Sequence, residues 1–120
     1  MGTSESDYFD IGIDGATISA NEGNDTINNH GDSVTIDGGA GNDTISNYGS
    51  NVTIDAGKGN DSISNRGENV LIKYSGGDDL ITGFNSTSTL EIVSGTLSSV
   101  TTNGTDYFLR TSVHKRLSKV

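Results

Sequence analysis

Four aspartates are placed to act together. Asp25, Asp43, Asp61 and Asp79 recur at a constant offset of 18, each two places after a glycine, Gly23, Gly41, Gly59 or Gly77. The triplet is Gly-Asn-Asp at the first three and Gly-Asp-Asp at the last. A chain that makes one coil per offset puts these carboxylates in one column. Stacked coils lie about 4.8 Å apart. At an effective dielectric near 20, like charges about 5 Å apart repel by roughly 3 kcal/mol per pair. A buried or half-buried column of this kind needs a cation between its members. Calcium suits it, as a hard ion that takes about six to eight oxygens from carboxylates and carbonyls at flexible geometry. The competing reading is plain turn chemistry, because Asn, Asp and Gly all favour loops.

The elements that position the column are read from self-comparison at fixed offset. Written from the glycines, the units are GNDTINNHGDSVTIDGGA, GNDTISNYGSNVTIDAGK and GNDSISNRGENVLIKYSG, with a fourth, GDDLITGF, that breaks off. Ala16-Thr17-Ile18 matches Val34-Thr35-Ile36, so the repetitive part runs roughly over 16–82. Each unit is two nonapeptides. Ile18, Ile27, Ile36, Ile45, Ile54, Ile63, Ile72 and Ile81 recur every nine residues between small polar neighbours. That is the pattern of one inward residue on a short strand. Nothing recurs at three and four, and the glycines would break a helix. The expected fold is all-β, a parallel β-solenoid (or β-roll) with 18 residues per coil. Glycine serves turns that call for positive φ and close backbone approach.

Gly38 to Ser46 fits the nonapeptide G-G-x-G-x-D-x-U-x throughout. Ala56 to Ser64 and Ala20 to Asn28 fit with Ala for the first glycine, Asn21 also replacing the second, and Tyr74 to Thr82 keeps Gly77, Asp79 and Ile81. With its four copies in phase, the chain resembles the repeats-in-toxin (RTX) family. The resemblance implies a parallel β-roll in a secreted or cell-surface bacterial protein, with calcium held between successive coils by paired aspartates and turn carbonyls. Carried onto this sequence, it implies three ions, between Asp25 and Asp43, Asp43 and Asp61, and Asp61 and Asp79. Carbonyls near Gly23, Gly39, Gly41, Gly57, Gly59 and Gly77 would complete them.

The second nonapeptide departs from that family, whose rolls commonly bind calcium along both edges. Val34, Val52 and Val70 stand where aspartate would, and valine cannot ligate an ion. They are expected to pack inward beside Ile36, Ile54 and Ile72. Asn29, Asn47 and Asn65, with Gly31, Gly49 and Gly67 two places on, suggest an asparagine ladder closing a metal-free edge. Asn24, Asn42 and Asn60 read as turn formers, and Asp14, Asp37 and Asp55 as solvated or hydrogen-bonded strand ends. The threonines Thr26, Thr44, Thr35 and Thr53 read as a solvated face, interrupted by Ser62 and Leu71. His30 aligns with Tyr48 and Arg66 in a variable surface slot, and neither it nor His114 looks like a ligand or base. No nucleophile motif, phosphate loop or acid/base pair stands out, so an enzyme is not expected.

Composition sets the remaining bounds. The 120 residues are 30% hydrophobic, with 17 glycines, no cysteine and a net charge of -9, which without a repeat would suggest disorder. Stacked coils escape that fate because each covers its neighbour. The acidic body argues against nucleic acid, and no apolar run is long enough to insert in a membrane. The N-terminal residues do not read as a cleavable signal peptide. Solenoid ends need covering. Residues 1–15 are expected as an N-terminal cap with Tyr8, Phe9, Ile11 and Ile13, and 83–110 as a C-terminal β cap with a hairpin turn at Asn103-Gly104. Residues 111–120 form a basic tail, read as frayed rather than as a helix. Solenoid ends can also stack between molecules, so the architecture allows end-to-end self-association. The function expected is calcium-dependent folding and structural support; the alternative is a calcium-independent solenoid serving as an adhesin or spacer.

Overall fold

The computed structural model describes residues 2–75, 79–83, 87–92, 97–103 and 106–111, with side chains through Glu91. Among the described residues twelve strands run in order: β1 Tyr8–Ile11, β2 Thr17–Ser19, β3 Thr26–Asn29, β4 Thr35–Asp37, β5 Thr44–Asn47, β6 Thr53–Asp55, β7 Ser62–Asn65, β8 Leu71–Tyr74, β9 Asp79–Thr82, β10 Thr89–Ile92, β11 Leu97–Asn103 and β12 Asp106–Thr111. No helix occurs among the described residues.

Odd and even strands separate into two sheets. One is ordered β1-β3-β5-β7-β9-β12-β11 and the other β10-β8-β6-β4-β2. Pairing within the coils is parallel, with every partner one repeat unit away: Ile27 opposes Ile45, Ile45 opposes Ile63, and Ile36 opposes Ile54. The chain is therefore a parallel β-solenoid with 18 residues per coil. This register is set by composition. One isoleucine per short strand points inward, and a shift of one residue would turn that column to solvent.

The core is thin and continuous. Ile27, Ile36, Ile45, Ile54, Ile63 and Ile72 are buried between the sheets, with Val34, Val52 and Val70 beside them and Ala20 and Ala56 at the turns. Full burial of each isoleucine contributes about 1.5–3 kcal/mol. So few apolar residues suffice because the coils above and below bury both flanks of each rung.

The parallel ladder extends past 16–82 at both ends. β1 pairs in register with β3, Phe9 against Ile27, so Tyr8 to Ile11 form a rung. β10 pairs parallel with β8, Leu90 against Ile72. The repeat persists there in geometry after its sequence signature has faded, because an alternating apolar residue is all the rung requires. β11 and β12 then pair antiparallel from Asn103 and Asp106 outward, and β12 pairs antiparallel with β9, covering the last rung of that sheet. Residues 112–120 lie outside the described residues, so the reading of the tail falls there too.

Candidate metal centre

The aspartate column forms as spaced. Asp25, Asp43, Asp61 and Asp79 are all buried, at 1, 1, 2 and 4% exposure. Each immediately precedes or opens a strand of the first sheet, so its backbone is fixed by the ladder and its side chain turns inward at the end of the apolar column. The carboxylates are tied coil to coil. Asp25 N–H donates to Asp43 Oδ1 at 2.9 Å, Asp43 N–H to Asp61 Oδ1 at 2.8 Å, and Asp61 N–H to Asp79 Oδ1 at 2.8 Å. One oxygen of each acceptor is thereby satisfied.

At Asp25, Asp43 and Asp61 the other oxygen is not. Oδ2 of Asp25, Asp43 and Asp61 is buried without a hydrogen-bond partner. A buried carboxylate oxygen left unpaired is costly, and such groups pair, protonate or bind a cation. The acidities carry the same strain. Burial pushes the Asp43 carboxyl up to about 7, against the N–H from Asp25 and with added repulsion from Asp25 and Asp37. Burial likewise pushes Asp61 up to about 8, opposed by the N–H from Asp43 and assisted by Asp79, Asp43 and Asp55.

The turn glycines pack closely against the backbone of the preceding coil. Gly23, Gly41 and Gly59 share one slot with φ of +105°, +110° and +108°, and Gly39 and Gly57 share another at +78° and +85°. Gly41 passes so close to the Gly23 carbonyl that a Cβ would collide with it, and Gly59 stands in the same relation to Gly41. At Gly38 a Cβ would lie 2.7 Å from Asp43 Oδ2 and 2.8 Å from the Ala56 carbonyl, so two oxygens from adjacent coils face one small space. Ala20 and Ala56 fill the equivalent slot in the neighbouring coils. Gly77 falls outside the described residues.

The donor set fits a hard cation only if carbonyls contribute. Among the described residues no group of three or more His, Cys, Asp or Glu side chains is placed to hold a metal. The column supplies one carboxylate per coil, and backbone oxygens would have to supply the remainder. Orphaned Oδ2 atoms and glycine-lined turns are compatible with that arrangement.

One member of the column was not evident from the aspartate triplets. Asp7 lies 18 residues before Asp25, and its N–H donates to Asp25 Oδ1 at 2.8 Å. Its own carboxylate is capped by Thr3, whose N–H reaches Oδ2 at 2.7 Å and whose hydroxyl lies 3.1 and 3.0 Å from the two oxygens. The offset alone would have found Asp7, but no glycine stands two places ahead of it; Glu5 does.

The opposite edge closes by different means. Val34, Val52 and Val70 point into the core. Asn29 Nδ2 donates to Asn47 Oδ1 at 2.8 Å and Asn47 Nδ2 to Asn65 Oδ1 at 3.0 Å. Each also closes its own turn, as Asn47 does by donating to the Gly49 carbonyl at 2.9 Å and accepting from Gly49 N–H at 3.2 Å. Asn24 and Asn42 act in the turns as expected, accepting from Asn42 N–H and Asn60 N–H at 2.8 Å. Asp37 and Asp55 accept from Gly39 and Gly57 N–H at strand ends, whereas Asp14 lies in a turn and accepts from Asp32 N–H. His30 stacks on Tyr48, with ring centroids 4.9 Å apart.

Comparison with protein-family models, with curated proteins and with solved structures finds no match for this chain. The fold and the column thus define a class, a parallel β-solenoid with a buried carboxylate ladder along one edge.

Proposed function

We propose that this chain is a calcium-binding β-roll module whose folding is driven by calcium, giving structural support within a secreted or cell-surface bacterial protein. The observation that carries the reading is the row of buried, unpartnered Oδ2 atoms at Asp25, Asp43 and Asp61. Asp25, Asp43, Asp61 and Asp79 would hold the ions, about three along this edge only, with turn carbonyls at Gly23, Gly39, Gly41, Gly57 and Gly59. Calcium bound there would supply positive charge, and the column's carboxylate oxygens would coordinate it. The residues of the chain do the remainder. Acidic side chains repel one another while the coils are apart, and the net charge of -9 favours the expanded chain. The turn glycines let successive backbones approach, and the isoleucine columns stack once that repulsion is offset. Binding free energy then appears as folding free energy.

A second reading, a calcium-independent adhesin or spacer, is favoured by the asparagine edge, which links successive coils with hydrogen bonds alone. Far-UV circular dichroism separates the two. The chain is stripped of metal and titrated with calcium and, separately, magnesium. A coil-to-β transition with calcium alone is expected. A β spectrum already complete in excess chelator and unchanged by calcium would favour the spacer.

A further inference from the structure

One surface column is incomplete. The slot after Asn29, Asn47 and Asn65 holds His30, Tyr48 and Arg66 in successive coils. The His30 and Tyr48 rings stack with planes 6° apart, and the Arg66 guanidinium carbon lies 5.6 Å from the centroid of Tyr48. Both faces of Tyr48 are thus covered by the chain itself. Among the described residues, the ring recorded stacking on His30 is that of Tyr48. The residue one repeat earlier is Gly12, which has no side chain, and a Cβ built there meets nothing within 4 Å. Beside this gap stands Asp10, two residues before Gly12, with Oδ1 3.6 Å from His30 Nε2. The side chains of His30 and Asp10 are 55% and 61% exposed.

We propose that the gap over Gly12 is a docking slot for a guanidinium, the side chain of an arginine on a partner polypeptide. The reading does not depend on calcium. Its template is within the molecule, where the column already takes the guanidinium of Arg66 against the far face of Tyr48. A planar guanidinium stacks on a ring face and donates in-plane N–H groups to a carboxylate. The slot offers both, the face of His30 turned away from Tyr48 and the carboxylate of Asp10. An ammonium has the charge but not the plane. The acidic body draws a basic partner toward this corner.

The test is a two-dimensional amide NMR titration of the full folded chain with N-acetyl-arginine amide and, separately, N-acetyl-lysine amide. The arginine probe is expected to shift the amides of Asp10, Gly12 and His30 saturably, and the lysine probe to do so only weakly. Gly12→Tyr, which fills the gap from within, should abolish those shifts. Asp10→Asn should weaken them several-fold. Neither change has a steric reason to disturb the fold, since Gly12 faces open space and Asp10 is exposed. Equal response to lysine, shifts scattered over the whole acidic surface, or shifts that survive Gly12→Tyr would overturn the proposal.

Discussion

Asp43 has one satisfied oxygen and one orphan, and the two make opposite demands. Oδ1 accepts from Asp25 N–H and belongs to the stack. Oδ2 is buried without a hydrogen-bond partner. Asp43→Asn keeps an acceptor for Asp25 and removes the charge. We expect the metal-free chain to gain about 1–3 kcal/mol, from relief of a buried unpaired group, while calcium stabilises the variant less than the parent. Urea unfolding in chelator and in calcium reads both effects; a variant less stable in chelator would contradict the account. Acidity makes a related prediction. The Asp43 and Asp61 carboxyls are raised from 3.8 to about 7 and about 8 by burial. Because each folded value lies above the unfolded one, the folded state binds protons more tightly. Metal-free stability should therefore be fullest below about pH 4 and be lost as pH rises toward about 8, by on the order of a few kcal/mol. Denaturant midpoints across that range in chelator check the sign, and calcium should hold stability up at the alkaline end.

At the scale of the element, the two edges solve the same stacking problem with different chemistry. Asn47 ties three coils together and closes its own turn, so Asn47→Ala should destabilise the chain by about 1–3 kcal/mol with or without calcium. Thermal unfolding in both conditions tests this, and a loss seen only with calcium would contradict it. Gly49 runs against the Gly31 carbonyl, and Gly49→Ala should be at least as damaging, because the clash is with backbone. Strand periodicity, coil length, inward valines and the asparagine ladder were all legible in the sequence, since each follows from a fixed offset and a residue type with one good use at that position. What was not legible were the rungs at Tyr8 and Thr89 and the fifth aspartate. There the glycines had been replaced, so the turn signature was gone, while the strand needed only an apolar residue in phase. The Thr3 cap on Asp7 was equally hidden, because a hydroxyl four residues from an aspartate carries no pattern of its own.

For the whole molecule, the acidic charge and the thin core leave little margin for folding, and on the proposed reading calcium in the column tips the balance. Five aspartates line it, yet the lowest, Asp7, already has its carboxylate capped by Thr3. Above Asp25 lie three gaps between successive members: Asp25 to Asp43, Asp43 to Asp61, and Asp61 to Asp79. Asp43 borders two of them. The measurement that tests the central claim most directly is the calcium stoichiometry of the purified chain by equilibrium dialysis, beside that of Asp43→Asn. The account predicts about three ions per parent chain, one per gap, and a fall to about one in the variant, each ion being held between paired carboxylates. No bound calcium in the parent, or the same number in both chains, would contradict it.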